Sequence, residues 1–188
     1  MRIIGGRLRG LGLAAVGKGD AAAHLRPTSD RVRESLFNLL QGGRFSDPIA
    51  NARVLDLFAG TGALGLEALS RGAEFVTFVE SGRAGGRLLS ANIAKARAEA
   101  ITEVLRTDAT RLPPCKCDPA TLVFLDPPYG RGMGEKALIS ALKGGWLQNG
   151  ALIVWEEERA QSAPTGFKAL DTRRYGQTWL TLLRSDQV

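Results

Sequence analysis

The sequence predicts an α/β fold with a mostly parallel β-sheet. From residue 53 onward, short runs rich in β-branched and aromatic residues alternate with longer helical stretches, which is the pattern of right-handed βαβ units. The last two runs are joined by residues 174–177 with no helix between them, and this favours an antiparallel hairpin at one edge of the sheet. The 188 residues are 44% hydrophobic and 23% charged, which excludes disordered, collagenous and coiled-coil chains.

The first 45 residues are predicted to form a small extension in front of this sheet. Residues 1–13 alternate apolar residues with polar residues or glycine, as a short β-hairpin does. A helix follows, with its N-cap at Thr28 or Ser29 and its end at the glycine pair 42–43. The predicted apolar face of this helix consists of Val32, Leu36, Leu39 and Leu40.

The sheet and its helices are predicted from the hydrophobic periodicity of the rest of the chain. The candidate strands are residues 53–58, 75–80, 103–107, 121–126 and 151–155, followed by the hairpin strands 167–173 and 178–183. The candidate helices are residues 63–71, 83–98 and 134–143. The predicted organisation is therefore an N-terminal extension of residues 1–45 and a sheet domain of residues 46–188.

Positive charge is concentrated in the N-terminal extension. It holds eight basic and three acidic residues, a net charge of +5, whereas the other 143 residues hold 17 basic and 16 acidic residues, a net charge of +1. This distribution indicates either a contact with a polyanion such as RNA or a solubilising surface. The candidate RNA-binding residues are Arg2, Arg7, Arg9, Arg26 and Arg31.

A cytoplasmic location is expected from the absence of export and membrane signals. No apolar run approaches the ~20 residues of a membrane span, and residues 1–6 lack the apolar core of a signal peptide. Cys115 and Cys117 are only two residues apart, which favours a plain loop in a reducing compartment. Two thiols are also too few for a structural zinc site, which needs four ligands.

A glycine-rich loop follows the first predicted strand. Residues 59–65 contain the pattern G-x-G-x-x-G between a strand and a helix, where glycine lets the backbone turn tightly and the helix N-terminus offers free N–H groups. Glu80 ends the second strand, twenty residues after Gly60, and a carboxylate there can accept hydrogen bonds from ribose hydroxyls. These features predict a nucleotide-containing cofactor.

Asp56 favours a cationic cofactor over a dinucleotide. A carboxylate at the end of the first strand would repel a pyrophosphate by about 1 to 4 kcal/mol at ~4 Å. S-adenosylmethionine carries a sulfonium, an ammonium and a ribose, which suits Asp56 near its methionine end and Glu80 at its sugar. The alternative interpretation of Asp56 is a solvated or capping carboxylate.

A tetrad, Asp126-Pro127-Pro128-Tyr129, follows the fourth predicted strand. Ligands of open parallel sheets bind beyond the carboxyl ends of the strands, so the tetrad and the glycine loop should face one crevice. The prolines cannot extend the ladder, and they hold the Pro127 carbonyl outward beside the Asp126 carboxylate. Such a pair of acceptors suits an exocyclic amine. The lone pair of this amine is delocalised into its ring, so the amine must be held by both N–H groups to attack a methyl group. Tyr129 offers a face for base stacking; the alternative interpretation is a proline-rich turn.

The sequence resembles the RsmD family of class I S-adenosylmethionine-dependent methyltransferases. These bacterial enzymes methylate the N2 amine of a guanine in small-subunit (16S) ribosomal RNA. The resemblance covers nearly the whole chain and rests on residues 2–6, 26–28, 30–34, 56–65, 126–129 and 174–176. The tetrad is shared with adenine-N6 and glutamine-N5 methyltransferases, whereas the N-terminal segments separate this family from them.

The resemblance implies a seven-stranded, Rossmann-like sheet with an antiparallel last strand, preceded by a hairpin that grips RNA. Residues 46–188 would form the methyltransferase domain. The implied cofactor-binding residues are Thr28, Asp56, Phe58, Ala59, Gly60, Gly62, Glu80, Ser81, Asp108 and Ala109. Glu80 would bind the ribose and Asp108 the adenine amine. Within the tetrad of Asp126, Pro127, Pro128 and Tyr129, the first and last residues would carry catalysis.

The expected reaction is direct methyl transfer from S-adenosylmethionine, without a metal. The expected partner is ribosomal RNA within an assembling small subunit, and the protein is expected to act as a monomer away from membranes. Three alternatives remain: an adenine-N6 methyltransferase of DNA or RNA, an NAD-linked oxidoreductase, and a non-catalytic RNA-binding protein on the same fold. The lack of an extra domain for reading duplex sequence opposes a DNA methyltransferase. Asp56 and the tetrad oppose an NAD-linked oxidoreductase. A measurement of S-adenosylmethionine binding distinguishes the methyltransferase from the non-catalytic RNA-binding protein.

Overall fold

The computed structural model describes residues 1–15 and 29–186. Within these ranges the chain forms seven strands and four α-helices. The strands are β1 (Arg53–Leu57), β2 (Phe75–Val79), β3 (Thr102–Leu105), β4 (Ala120–Leu125), β5 (Leu147–Glu157), β6 (Phe167–Tyr175) and β7 (Thr178–Ser185). The helices are α1 (Asp30–Gln41), α2 (Ala63–Ser70), α3 (Arg83–Ala96) and α4 (Met133–Lys143). None of these helices is long and apolar enough to cross a membrane.

The strands form one sheet in the order β3-β2-β1-β4-β5-β7-β6. Neighbouring strands from β3 to β5 are parallel, whereas β7 is antiparallel to both β5 and β6. The predicted α/β class, the seven strands and the antiparallel hairpin are therefore confirmed. The chain winds from β1 out to β3 and then returns to β4 on the other side of β1. The boundary between β1 and β4 is thus the topological switch point, where open α/β sheets bind ligands.

Predicted strand boundaries agree with the structure to within two residues, with β5 as the exception. This strand was predicted over residues 151–155 but runs from Leu147 to Glu157. The exposed polar residues Gln148 and Asn149 interrupt its apolar pattern, so the periodicity does not show that pairing with β4 begins at Leu147. The predicted helix 83–98 ends at Ala96 instead, because Arg97 adopts the left-handed conformation with φ of 50°.

Each face of the sheet has its own apolar core, because alternate residues of a strand point to opposite faces. Val54 and Phe124 belong to the core covered by α1, α2, α3 and the N-terminal segment, here called the N-terminal face. Leu55 and Leu125 belong to the core covered by α4, here called the α4 face. The N-terminal segment and α4 therefore lie on opposite faces of the sheet.

Residues 1–13 form the predicted hairpin. Arg2 and Gly12 make an antiparallel bridge, and the Ile3 N–H donates to the Leu11 carbonyl at 3.0 Å. The side chains of Ile3 and Leu13 are buried in the core of the N-terminal face. The hairpin is therefore packed against the same core as α1, α2 and α3.

Helix α1 begins and ends as the sequence predicts, but its buried face differs. The Ser29 hydroxyl accepts a hydrogen bond from the Val32 N–H at 3.3 Å, and Gly42 is the C-cap. Leu36 and Leu40 are buried as predicted, whereas Val32 and Leu39 are only half-buried. Arg33 and Phe37 complete the buried face instead. The predicted face did not include Arg33, which is buried beside a carboxylate from another helix.

That carboxylate belongs to Glu67 of α2, the centre of a group here called the Glu67 clamp. Its two oxygens accept hydrogen bonds from the Ile4 and Gly5 N–H groups, each at 2.8 Å. Oε1 also accepts a hydrogen bond from Arg71 Nε at 2.8 Å, and Oε2 lies 3.8 Å from Arg33 Nε. Glu67 and Arg33 are fully buried. The clamp therefore ties the hairpin to α1 and α2 through buried charges.

Candidate active site

Polar groups follow four neighbouring strands along the carboxyl edge of the sheet. Asp108 follows β3, Glu80 follows β2, the glycine loop follows β1 and Asp126 follows β4. The sheet order places them side by side in that sequence. Neighbouring strands lie about 4.8 Å apart, so the row spans about 14 Å. Its centre is the switch point between β1 and β4.

The glycine loop makes a tight, strained turn. Phe58 has φ of 61°, a left-handed conformation that costs a bulky residue roughly 1–3 kcal/mol. The Ala59 N–H donates to the Val79 carbonyl at 3.0 Å, and the Gly62 N–H donates to the Ala59 carbonyl at 2.7 Å. Gly62 then starts α2 with φ of 78°. The turn brings the first backbone amides of α2 to the edge of the crevice, where they can face a ligand.

Asp56 lies beneath the loop rather than in the open crevice. It is 2% exposed, and its Oδ2 accepts a hydrogen bond from the Gly65 N–H in the first turn of α2 at 3.0 Å. Of the two interpretations of Asp56, the structure shows the capping contact. Burial raises the pKa of Asp56 to about 7, and the negative charge of Glu80 acts in the same direction. Asp56 therefore caps the first turn of α2 from below the loop.

Glu80 connects the glycine loop to the start of α3. Its Oε2 accepts a hydrogen bond from the Gly60 N–H at 2.8 Å, and its Oε1 accepts one from the Gly82 N–H. A Cβ atom at Gly85 would lie 2.9 Å from the carboxyl carbon of Glu80, and one at Gly82 would lie 2.8 Å from its Oε1, so glycine at these two positions leaves room for the Glu80 side chain. Each carboxylate oxygen has a second acceptor site, and Glu80 is only half-buried, so it retains capacity to bind ribose hydroxyls.

Asn92 of α3 is a site residue that the sequence analysis missed. Its side chain is fully buried. The Nδ2 group donates to the Thr61 carbonyl at 2.9 Å and to the Ala14 carbonyl at 3.1 Å, and Oδ1 accepts from the Ala14 N–H at 2.7 Å. Asn92 thereby joins the glycine loop to the N-terminal segment. The only sequence signal is an amide within the buried face of an amphipathic helix.

The remaining residues expected to bind the cofactor are distributed around the row. Asp108 Oδ1 accepts hydrogen bonds from the Thr110 N–H and hydroxyl, each at 2.8 Å. Its Oδ2 has no hydrogen bond within the part of the chain that the structure describes. Ala109 is buried, and Ser81 is exposed beside Glu80. The predicted cofactor residue Thr28, like the RNA candidate Arg26, lies outside the described residues.

The tetrad begins directly beside the glycine loop. The Asp126 N–H donates to the Leu57 carbonyl at 3.4 Å, which places the Asp126 backbone next to Phe58. Pro127 is buried, and Asp126 and Pro128 are half-buried. The glycine loop and the start of the tetrad thus lie at adjacent strand ends on the carboxyl edge of the sheet.

Tyr129 is oriented by two residues of the antiparallel part of the sheet. Its hydroxyl donates to Oε1 of Glu156 at 3.0 Å and also makes a hydrogen bond with the Thr178 hydroxyl. Burial raises the pKa of Tyr129, and the charges of Glu156 and Asp126 raise it further. The phenol therefore stays protonated and fixes the position of its ring.

Glu156 and Glu157 at the end of β5 are further residues that the sequence analysis missed. Both are about 5% exposed or less. Glu157 accepts hydrogen bonds from the N–H groups of Glu158 and Gly130, and burial raises its pKa. Glu156 therefore contacts the tetrad through the Tyr129 hydroxyl, and Glu157 contacts the turn after the tetrad through the Gly130 N–H. Their sequence signal was a pair of acids at the end of an apolar strand.

The four candidate RNA-binding arginines that the structure describes, Arg2, Arg7, Arg9 and Arg31, lie on the N-terminal face. Arg7 and Arg9 flank the tip of the hairpin, where the Leu8 N–H donates to Ser70 Oγ at the C-terminal end of α2. Since α2 is eight residues long, this end lies about 12 Å from the glycine loop. Arg2 and Arg31 are exposed, and Arg2 Nε lies 4.0 Å from Asp30. Arg7 and Arg9 therefore lie at the end of α2 that is away from the glycine loop.

Comparison with known proteins gives consistent matches along the chain. The model of the family described as "Conserved hypothetical protein 95" matches residues 1–184. "Ribosomal RNA small subunit methyltransferase D" of Escherichia coli (strain K12) is 42% identical over 165 residues, which cover 88% of this chain and 78% of that protein. The protein of the same name from Haemophilus influenzae is 36% identical, over 85% of this chain and 79% of its own. A solved structure, "Putative methyltransferase yhhF from Escherichia coli", matches with a TM-score of 0.80 at 37% identity, covering 99% of this chain and 98% of the other.

Proposed function

The chain belongs to the family described as Conserved hypothetical protein 95, the RsmD family. On this premise we propose that it methylates the exocyclic N2 amine of a guanine in small-subunit ribosomal RNA. The proposed methyl donor is S-adenosylmethionine. The curated relatives are named ribosomal RNA small subunit methyltransferases. A substrate of this kind would place the protein in the cytoplasm with the assembling small subunit.

The observation that carries this proposal is the row of groups along the carboxyl edge of the sheet. Asp108, Glu80, the glycine loop and Asp126 follow four adjacent strands in spatial order. Acceptors for an adenine amine and a ribose therefore lie at one end, and an acceptor for the substrate amine lies at the other. An elongated cofactor with a nucleoside at one end and a reactive group at the other matches this order and a span of about 14 Å.

The residues of the row fit S-adenosylmethionine. Asp108 keeps one carboxylate oxygen available for an adenine amine, and Glu80 keeps acceptor sites for ribose hydroxyls. Asp56 and Glu80 give this part of the crevice a negative field, which favours the ammonium and sulfonium groups. When bound, the cofactor supplies a methyl group on a positively charged sulfur.

Asp126 and the Pro127 carbonyl are proposed to hold the guanine amine. Its lone pair is delocalised into the ring, so holding both N–H groups aligns the lone pair with the methyl carbon. A bound cofactor would supply the methyl group that the nitrogen takes, and the C–S bonding electrons would stay on the cofactor's sulfur. The proton then leaves the nitrogen for Asp126 or water. Tyr129, held by Glu156, provides a fixed ring on which the base stacks.

We expect the purified protein to bind S-adenosylmethionine, or its demethylated product, at least tenfold more tightly than NAD. This difference corresponds to about 1.4 kcal/mol. The physical reason is that the carboxylates beneath and beside the glycine loop attract a cation and repel a pyrophosphate. Isothermal titration calorimetry with both ligands measures the difference. Equal affinities would show that these carboxylates do not select the cofactor.

Cofactor affinity should also rise with pH between about pH 6 and pH 7.5. The pKa of Asp56 is raised to about 7, so this carboxyl is mostly protonated at pH 6 without a ligand. A bound cation lowers that pKa, so binding releases a proton and tightens several-fold as Asp56 ionises. Asp56→Asn keeps an acceptor for the Gly65 N–H and should lose this pH dependence. A pH profile that is the same in both proteins would exclude Asp56 as its source.

The arginines of the hairpin are proposed to contact RNA phosphates rather than the cofactor. Replacing Arg2, Arg7 and Arg9 together with alanine should weaken RNA binding and flatten its dependence on salt. Each lost contact lowers the log–log slope by ~0.7 to 0.9. Filter binding over a salt series measures the slope, and calorimetry should show unchanged cofactor affinity. An unchanged slope would mean that these arginines serve only as a solubilising surface.

A further inference from the structure

A second basic surface lies on the α4 face, opposite the hairpin. A shallow cleft of about 600 Å³, here called the α4 cleft, separates helix α4 from the segment that follows β3. One wall carries Thr110, Arg111 and Leu112, and the other carries Lys136, Ser140 and Lys143. These residues were not among the RNA contacts that the sequence analysis identified.

The two walls of the α4 cleft are fixed to each other. The Leu112 N–H donates to Ser140 Oγ at 2.8 Å, and further along the Cys115 N–H donates to the Gly144 carbonyl at 2.8 Å. Beneath them, Ala109 of the first wall and Ala137 of α4 are buried in the same core. The cleft is therefore a preformed feature of the fold.

The charge of the α4 cleft is positive and uncompensated. Arg111, Lys136 and Lys143 are exposed, and within the described ranges none of them is in an ion pair and no carboxylate lines the cleft. Lys136 and Lys143 are seven residues apart on one side of α4, about 10 Å along its axis. Several unpaired cations along a concave surface favour a ligand with repeated negative charges.

The α4 cleft leads away from the crevice. Thr110 at its near end hydrogen-bonds Asp108, and α4 begins shortly after the tetrad. A chain of phosphates that enters the crevice at Asp126 could therefore continue along α4. From this position and charge we propose that the α4 cleft binds phosphodiester groups of the substrate RNA, so that the RNA is held on both faces of the sheet. This inference rests on the proposed function, because it assumes an RNA substrate at the tetrad.

The test compares two triple variants of the full chain. Arg111→Ala/Lys136→Ala/Lys143→Ala removes the cations of the α4 cleft. Arg87→Ala/Lys95→Ala/Lys168→Ala removes the same charge from exposed positions elsewhere. The probe is an unmodified transcript of small-subunit ribosomal RNA, whose affinity is measured over a salt series. Calorimetry with S-adenosylmethionine shows that both variants retain a folded cofactor site.

We expect the cleft variant to bind the transcript at least tenfold more weakly at 0.1 M salt, with a log–log slope lower by about 2 to 3. The control variant should change the slope by less than 1. Equal slopes for the two variants would overturn the proposal. Methyl transfer by the wild-type protein is measured in parallel. If the wild-type protein transferred no methyl group, the proposed function would be contradicted. The salt-dependence slopes of RNA binding would still decide whether the α4 cleft binds RNA. A wild-type protein that binds no RNA would overturn both.

Discussion

Replacing Asp126 with alanine is expected to lower the rate of methyl transfer by about 100-fold or more. The change removes one of the two acceptors that orient the amine, together with one route for its proton. Loss of one preorganised polar group or positioned base has an effect of this size. Single-turnover methylation with saturating RNA and cofactor isolates this step. RNA affinity should change little, because phosphate contacts dominate it.

Asp126→Asn is the matched control for this experiment. Its amide oxygen still accepts a hydrogen bond from the substrate amine, so it should retain more activity than Asp126→Ala. Calorimetry should show that both variants bind S-adenosylmethionine as the wild-type protein does. If Asp126→Ala kept a near wild-type single-turnover rate, the tetrad would be a structural turn and another group would hold the amine.

The second large effect is expected in the Glu67 clamp, on stability rather than rate. Glu67→Ala should lower the free energy of unfolding by about 3–5 kcal/mol, the usual range when one partner of a buried ion pair is removed. The variant leaves the fully buried Arg33 without a neighbouring buried carboxylate and deprives the Ile4 and Gly5 N–H groups of their acceptor. Such a loss is a large share of the 5–15 kcal/mol that stabilise a typical domain.

Urea unfolding of Glu67→Ala beside Glu74→Ala tests this expectation. Glu74 is exposed and is in no ion pair among the described residues, so its removal should change the free energy of unfolding by no more than about 0.5 kcal/mol. Glu67→Gln keeps the shape and one acceptor oxygen and should fall between the two. Equal unfolding midpoints for Glu67→Ala and Glu74→Ala would show that the buried charges do not hold the hairpin.

The sequence was sufficient to predict the sheet because its signals are local. Alternation and apolar runs mark β1, β2 and β4 within one or two residues, and the short connection before β7 marks the hairpin. The glycine loop and the tetrad were found for the same reason. Each is a contiguous string whose position at a strand end determines which edge of the sheet it occupies.

Polar groups that pair across long sequence distances were not predicted. Arg33 is buried because Glu67 lies beside it in space, 34 residues away in sequence, and periodicity treats a charged residue as exposed. Asn92 and Glu156 are buried for the same reason, through partners at Ala14 and Tyr129. Asp56 illustrates the same limit, because only the folded structure shows that its carboxylate points to the Gly65 N–H.

The basic residues show most clearly that sequence position alone does not predict which charged side chains lie together in space. Clustering in sequence drew attention to Arg7 and Arg9, yet the structure places them at the far end of α2 from the glycine loop. The cations of the α4 cleft come from two segments about 25 residues apart and form no cluster in sequence. Only folding brings Arg111 and Lys136 to opposite walls of one cleft.

The most direct measurement of the central claim is the position of the transferred methyl group. The protein is incubated with radiolabelled S-adenosylmethionine and small ribosomal subunits or their RNA from cells that lack this modification, and the RNA is digested to nucleosides for chromatography and mass spectrometry. We predict that the label is found on a guanosine, on its N2 amine, at a single position of the RNA, and that Asp126→Ala abolishes most of it. Label on the N6 amine of adenosine, or no label in RNA that the protein binds together with its cofactor, would contradict the account.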